Sequence, residues 1–309
     1  MIRIPSGHTP GKTRRLPDMA AVFFRLVGGS VILILTGILL LLVTESLPFF
    51  ANSPAADFLT GERWNPTSAQ PGYGILSLIA GTLITTLGAM LIAVPLGIMA
   101  ALWLTEAARP AVREWVKPAI ELLSAVPSVV IGFLGITLLA PAVAALSGRP
   151  NGLNAASGSV LLAIMALPTI ISMTEDALRS VPASLREASL ALGASRWETM
   201  TRVVLPAARP GVFAAVMLGL GRAIGETMTV LMIAGNTPSV PGSFFDPVRT
   251  LTATIAIELG EVPMGSVHYH ALFAVGLALF VITFLINLAA DLVMRRQARL
   301  LAPRREKQS

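Results

Sequence analysis

Arg222 stands inside an apolar run, Val212–Ala234, of a chain in which only 13% of residues are charged. An arginine at mid-bilayer costs roughly 2.5–3.5 kcal/mol on insertion scales, so such residues face a cavity or a partner. Its planar fork suits the oxygens of a phosphate or a carboxylate. Glu226 follows four residues on, which predicts that the two side chains share one helical face and pair. Two readings stand side by side. The pair is either a buried lock for helix packing, or an anion site in which Glu226 holds Arg222 in place or discriminates by protonation state.

Other chemistries find no residues to carry them. Cysteine is absent, which removes disulfides, thiolate metal sites and a cysteine nucleophile. Of the three histidines, His8 is isolated, and His268 and His270 flank Tyr269 at the start of an apolar run, where interfacial anchoring is expected rather than metal binding. Ser6-Gly-His-Thr-Pro-Gly-Lys-Thr13 has the outline of a phosphate-binding loop. It carries serine where the first glycine belongs, and Pro10 removes an N–H from the cradle. No nucleotide site is expected there, so this chain does not hydrolyse ATP itself. Gly219, Gly221 and Gly225 have dinucleotide-like spacing but sit in an apolar run with no strand before it. Gly221 and Gly225 form a small-x-x-x-small pair, expected to let membrane helices approach. Glu121 and Asp291 lie near span ends and are expected at the membrane interface. No catalytic constellation emerges, and the chain is not expected to be an enzyme.

The elements that position Arg222 are membrane spans. The 309 residues are 54% hydrophobic, and charge is depleted about twofold against the roughly 25% of soluble domains. Runs of 18 or more apolar residues are candidates for spanning. Five are clear: Leu26–Val43, Ile75–Leu104, Ala119–Leu146, Val212–Ala234 and Ala271–Leu288. A sixth, Val160–Met173, is short, and the charges argue for keeping it. Arg3, Lys12, Arg14, Arg15 and Arg25, then Arg109, Arg113 and Lys117, then Arg179, Arg186, Arg196, Arg202 and Arg209, and finally Arg295, Arg296, Arg299, Arg304, Arg305 and Lys307 fall on one side of a six-span chain. The opposite loops hold only Arg63, Arg149 and Arg249. By the positive-inside rule both termini are cytoplasmic. The first span is too long for a signal peptide and no A-x-A site follows it, so it reads as an uncleaved anchor.

This divides the chain into a cytoplasmic tail at 1–24, a first span with its periplasmic loop at 25–74, a transmembrane domain at 75–294 with a cytoplasmic loop at 179–210, and a basic tail at 295–309. Trp64 and Tyr73 in the first outer loop are expected at the interface. Thr250–Glu258 is too short and polar to span, and either lies on the membrane or re-enters the bundle.

The loop at 179–210 is the polar exception in an apolar chain. Pro182 suits a first helical turn. Gly193 can take the left-handed conformation that ends a helix. Ser195 with Glu198 three residues on forms a capping box for a second helix, expected to run from about Arg196 to Val204 and to end before Pro206 and Pro210. Such a helix–turn–helix would offer Leu185, Leu190, Leu192, Trp197 and Met200 to a partner's groove. The plain alternative is an amphipathic connector lying on lipid.

Glu187-Ala-Ser189, then Gly193, then Val203-x-Leu205-Pro206 resembles the EAA loop of ABC importer permeases, with Ser189 and Val203 as small departures. The resemblance implies an all-α, six-span, type I ABC importer permease (MetI-like) fold in a bacterial inner membrane. It also implies a docking role for Glu187, Ala188, Ser189, Gly193, Leu205 and Pro206 on a separate ATPase. Gly219-Leu-Gly-Arg-Ala-Ile-Gly-Glu-Thr-Met228, Leu161-Leu-Ala-Ile-Met-Ala-Leu-Pro-Thr-Ile170 and Glu175-Asp-Ala-Leu178 are similar to the phosphate-specific permeases of that family, in their PstC-type rather than PstA-type version. Phosphate is then the implied cargo, with Arg222 and Glu226 on its path. Another oxyanion such as sulfate or molybdate is the alternative, and an ATPase-independent secondary transporter a more distant one, for which no internal repeat of interrupted helices is evident. The implied partners are a PstA-like permease, two PstB-like ATPases that use the ATP, a PstS-like phosphate-binding protein, periplasmic or surface-anchored, and the lipid membrane. No cofactor on this chain and no nucleic acid is implied.

Overall fold

The computed structural model describes residues 19–301. Most of the two basic tails, with His8 and the Ser6–Thr13 segment, lies outside them. Helix α1 (Met19–Phe50) already contains Arg25, and α14 (Val267–Leu301) runs on past Met294, so helix occupies part of both stretches expected as tails. Between them lie α2 (Ala55–Thr60), a two-stranded ribbon of β1 (Trp64–Asn65) and β2 (Gly72–Tyr73), α3 (Leu76–Glu106), α4 (Pro110–Ala125), α5 (Ser128–Leu134), α6 (Ala140–Ser147), α7 (Ala155–Arg179), α8 (Ala183–Ala191), α9 (Arg196–Thr199), α10 (Leu205–Ala207), α11 (Arg209–Gly225), α12 (Met228–Ile233) and α13 (Leu251–Glu258). The short ribbon, pairing Trp64 with Tyr73, and an isolated parallel bridge between Gly235 and Val248 are the β pairings of an otherwise helical chain among the described residues.

Five helices are individually long and apolar enough to cross a membrane: Ala21–Phe50, Leu76–Glu106, Ser128–Ser147, Ala155–Arg179 and Val267–Met294. A bent pair, Arg196–Ala207 and Arg209–Gly225, meets at 71° and makes a sixth if counted as one span. The run read as short, Val160–Met173, is a full helix of 25 residues. It looked short because α7 is the interior span, with 67% of its most apolar window buried. A helix wrapped in protein does not need an apolar surface, and α7 buries Ser157, Ser159, Thr174 and Glu175. Conversely, the most apolar window of α1 has no buried residue, as expected of a helix facing lipid over most of its girth.

The packing of α7 rests on missing side chains. Ile170, fully buried, fits against Gly97 of α3 and Gly219 of α11; a Cβ at either glycine would stand 2.6 Å from an Ile170 carbon. Gly211 similarly admits Ala177, at 2.5 Å from a Cβ placed there. The close-approach stripe of α11 is therefore Gly211 and Gly219, with Ala215 and Ala223 buried at the same four-residue spacing. The expected pair Gly221 and Gly225 is not part of it, since a Cβ at either meets nothing within 4 Å in this chain. The four-residue step is the same, but two residues' rotation puts that pair on another face.

Two expected spans are broken. The run Ala119–Leu146 is interrupted at Val126 and Pro127, both extended with ψ near 130°, because a residue before proline is driven out of the helical region. The run Val212–Ala234 is interrupted at Glu226, also extended. Elsewhere proline is absorbed rather than obeyed. Wide π-turns at Gly135–Leu139 and Met200–Val204 each stop just short of Pro141 or Pro206. The carbonyl that the ring would strike, four residues back at Thr137 or Arg202, lies mid-turn in the widened segment. The second helix of the polar loop thus continues through Pro206 to Ala207 instead of ending before it.

Adding a methyl at Gly219 should overpack this seam by about 1–3 kcal/mol, whereas Gly221→Ala meets open space. Thermal unfolding of the isolated chain in detergent should show a lowered Tm for Gly219→Ala and little change for Gly221→Ala; equal shifts would contradict the seam.

Candidate functional site

The two breaks and the entry to α13 meet. The hydroxyl of Thr229, in α12, donates to Ser128 O at the start of α5 over 3.1 Å. Thr252, in α13, donates its hydroxyl to Glu226 O over 3.0 Å. Thr82 of α3 accepts the Leu251 N–H at 3.0 Å. Irregular backbone at membrane depth is tolerated only where protein or a water-lined cavity satisfies it. Here threonine hydroxyls from neighbouring elements do so. Of the two readings of Thr250–Glu258, re-entry holds: Leu251, Thr252, Ala253 and Thr254 are all buried.

Arg222 lies beside this junction, one turn before the end of α11. Its Nη2 donates to Ser124 O over 3.3 Å, capping the last turn of α4. The predicted pairing with Glu226 does not occur. Helix α11 ends at Gly225, so the four-residue step no longer measures one helical turn, and Glu226 turns away. Its carboxylate instead accepts the Thr229 N–H at 3.3 Å and caps α12. Among the described residues no carboxylate pairs with Arg222. A guanidinium has five N–H donors in a fixed fork, and the single contact to Ser124 leaves most of them for an oxyanion. The structure thus brings Arg222 and Glu226 to one junction but not to each other.

The polar loop has the predicted local geometry. α8 begins directly after Pro182, Gly193 takes φ +87°, and Ser195 and Glu198 form a complete capping box. The Ser195 backbone N–H, and then its hydroxyl, hold the exposed Glu198 carboxyl below its usual pKa. That contribution is present above the ordinary carboxylate range and is lost as pH falls through the lowered value. Glu187, Ala188 and Gly193 are exposed, as are Leu185, Leu190, Leu192 and Trp197. Two expected contact residues are not available. Met200 is 2% exposed and belongs to the core beneath the loop, and Ser189 is buried, its hydroxyl 2.9 Å from that of Thr199. Both sit on the inward side of the two helices, a distinction that amphipathic spacing over so few residues does not make. Leu205 and Pro206 are half-buried, Leu205 against the same core.

Three charged clusters anchor this frame and were not singled out from residue types. Glu175, 1% exposed, is ringed by Arg113 at 2.6 Å, Arg179 at 2.8 Å and Lys117 at 3.4 Å, tying α4 to α7. The signal in the sequence was an i,i+4 Glu–Arg pair just past an apolar run. Arg186 joins α8 to Glu106 at the end of α3 and donates to Leu178 O at 2.8 Å. On the opposite face Glu258 accepts from Trp64 Nε1 at 2.9 Å and Arg249 at 2.8 Å, with His268 Nε2 at 2.8 Å, beside a cavity of about 730 Å³. Trp64, 2% exposed, is therefore a buried residue and not an interface anchor; Tyr73 beside it is half-buried, and burial raises its phenol pKa. His270 sits 2.8 Å from Glu45 O, so both histidines bind protein rather than water and lipid. No metal-binding group of side chains exists among the described residues.

Residues 93–302 match the family described as the binding-protein-dependent transport system inner membrane component. The phosphate transport system permease protein PstC of Mesorhizobium japonicum is 38% identical over 93% of both chains. A probable ABC transporter permease of Bacillus subtilis, YqgH, is 45% identical over 74% of both. The fold is shared with a bacterial ABC transporter involved in the import of the acidic polysaccharide alginate, at a TM-score of 0.63 and 16% identity over 90% of this chain and 96% of that one. The chain belongs to this family of multi-pass inner-membrane permeases, and its expected permease fold is the observed one.

Ser195→Ala should cost about 1 kcal/mol of local helix stability. Amide hydrogen exchange at 196–200 should accelerate while α7 keeps its protection; unchanged exchange would mean the capping box does not hold the second helix.

Proposed function

We propose that this chain is the membrane-spanning subunit through which an ATP-driven importer passes inorganic phosphate. The observation that carries the reading is Arg222, an unpaired guanidinium at the junction of two broken spans, in a chain 38% identical to a phosphate permease over nearly its whole length. A buried lock would need a carboxylate partner that Arg222 lacks among the described residues. An anion with several oxygens would instead satisfy the remaining N–H groups and offset the cost of the charge.

In this reading the basic face, with both termini, is cytoplasmic, as the distribution of arginine and lysine supports. The loop at 179–210 faces a PstB-like ATPase, one of two, and a PstA-like permease completes the pore. A PstS-like binding protein delivers phosphate to the outer loops around Glu258. This chain binds no cofactor; ATP is consumed by the partner. Glu187, Ala188 and Gly193 form the contact. Ser189, Leu205 and Pro206 transmit it inward: Leu205 packs on the core that includes Leu178 and Val212 of the two central helices, Ser189 is buried against Thr199 of the second loop helix, and Pro206 follows Leu205 in the chain.

The path from dock to junction is continuous. Movement of α8 is carried by Arg186 to Glu106 of α3, and by the bent α9–α10 segment to α11, whose last turn holds Arg222. Arg222 in turn caps α4, which Glu175 fixes to α7. Shifting α11 therefore exchanges the Ser124 carbonyl for a passing anion without leaving the guanidinium bare. Glu226 contributes by holding α12 at the break.

ATP-dependent phosphate uptake by vesicles containing the whole complex tests the reading. Arg222→Gln should reduce uptake by at least about tenfold, the effect of losing one charge-assisted contact, with assembly intact. Failure to assemble would restore the structural role, and uptake of sulfate or molybdate in preference to phosphate would change the cargo. Gly193→Val, forced into a backbone region that β-branched residues avoid, should leave ATP hydrolysis running while uptake falls. Unchanged coupling would remove the loop from the mechanism.

A further inference from the structure

A second cavity, of about 580 Å³, opens between the last turns of α3 and the start of α9. Its walls are apolar: Met99 and Trp103 from α3, and Trp197 and Met200 from the polar loop. Two charged residues border it. Glu106 is neutralised by Arg186. Arg196 is exposed and has neither ion pair nor side-chain hydrogen bond among the described residues. The cavity therefore presents one uncompensated charge, and it is positive.

Depth selects the occupant. At 1.5 Å per residue the 31 residues of α3 outrun the roughly 30 Å of a hydrocarbon core, so its final turns stand at headgroup level. Two tryptophans at that level, 48% and 69% exposed, fit the aromatic belt of a membrane interface. A phospholipid has the complementary halves: an acyl chain for the apolar walls and a phosphate for Arg196. We propose that this cavity binds an anionic phospholipid, wedged between α3 and the loop that faces the ATPase, so that one lipid braces the connection between them. The proposal is independent of the transported cargo. It rests on the orientation above only in assigning the lipid to the inner leaflet, and vesicles with the same lipid in both leaflets remove that dependence from the test.

The test uses the full chain carrying Trp115→Phe, which removes an indole 81% exposed on α4; Trp64 is buried, so the remaining accessible indoles are Trp103 and Trp197. Fluorescence is quenched with brominated phosphatidylglycerol or brominated phosphatidylcholine in symmetric vesicles. Saturable quenching favouring phosphatidylglycerol is expected. Arg196→Gln should raise the half-saturating lipid fraction about fivefold, the share of one basic residue near an anionic surface. Arg202→Gln, an exposed arginine that does not line this cavity, should not. Equal quenching by both headgroups, or equal effects of the two substitutions, would overturn the proposal. So would loss of quenching when the ATP-binding subunits are added, which would assign the groove to a protein partner.

Discussion

The contact of Ile170 with two glycines sets the geometry of the bundle. A branched side chain on α7 enters the backbone surface of α3 at Gly97 and of α11 at Gly219. In a membrane, helices gain little by hiding apolar surface from lipid tails, and close packing takes over as the attraction. Here the two notches bring three helix axes together at one level. Polar groups then cross short gaps, as when Ser159 reaches Thr85 O at 3.1 Å. The buried Glu175 follows from the same closeness, because it needs cations from α4 within reach while the rest of α7 is covered.

The second constraint is that lipid supplies no hydrogen bonds. A chain that interrupts its spans must find partners for the freed groups inside the protein. The breaks at Val126–Pro127 and Glu226 are mutually served by Thr229, Thr252 and Arg222. One consequence is that the junction is both the least regular part of the bundle and a polar one.

Patterns that depend on nearest neighbours along the chain were legible. Gly193, the Ser195–Glu198 box and the helix after Pro182 are decided within four residues, and the sequence states them. The placement of charged residues likewise foretold that Arg113 and Lys117 share a face with Arg179, and Arg63 with Arg249. Two inferences failed because the backbone departs from a uniform α-helix: the Arg222–Glu226 pair, which needed α11 to run on past Gly225, and the end at Pro206, which a π-turn carries through. Gly221 and Gly225 lie on intact helix, on a face that meets nothing within this chain. Trp64 and Met200 were misplaced for a related reason. Their burial depends on Glu258 and on the α7 core, residues remote in sequence, and no local spacing reports that.

The first helix has a different relationship to the rest. α1 packs chiefly on α14, and its end is joined there by Phe49 in one core with Leu272 and Val275, and by the Glu45 carbonyl at His270. More than two hundred residues separate the two sides of that seam. During synthesis α1 enters the bilayer ahead of the helices between it and α14, and must remain there without its mate until α14 emerges. The seam is thus a closing clasp in time as well as in space: the helices between can assemble as they appear, while this edge is completed only once α14 has been made.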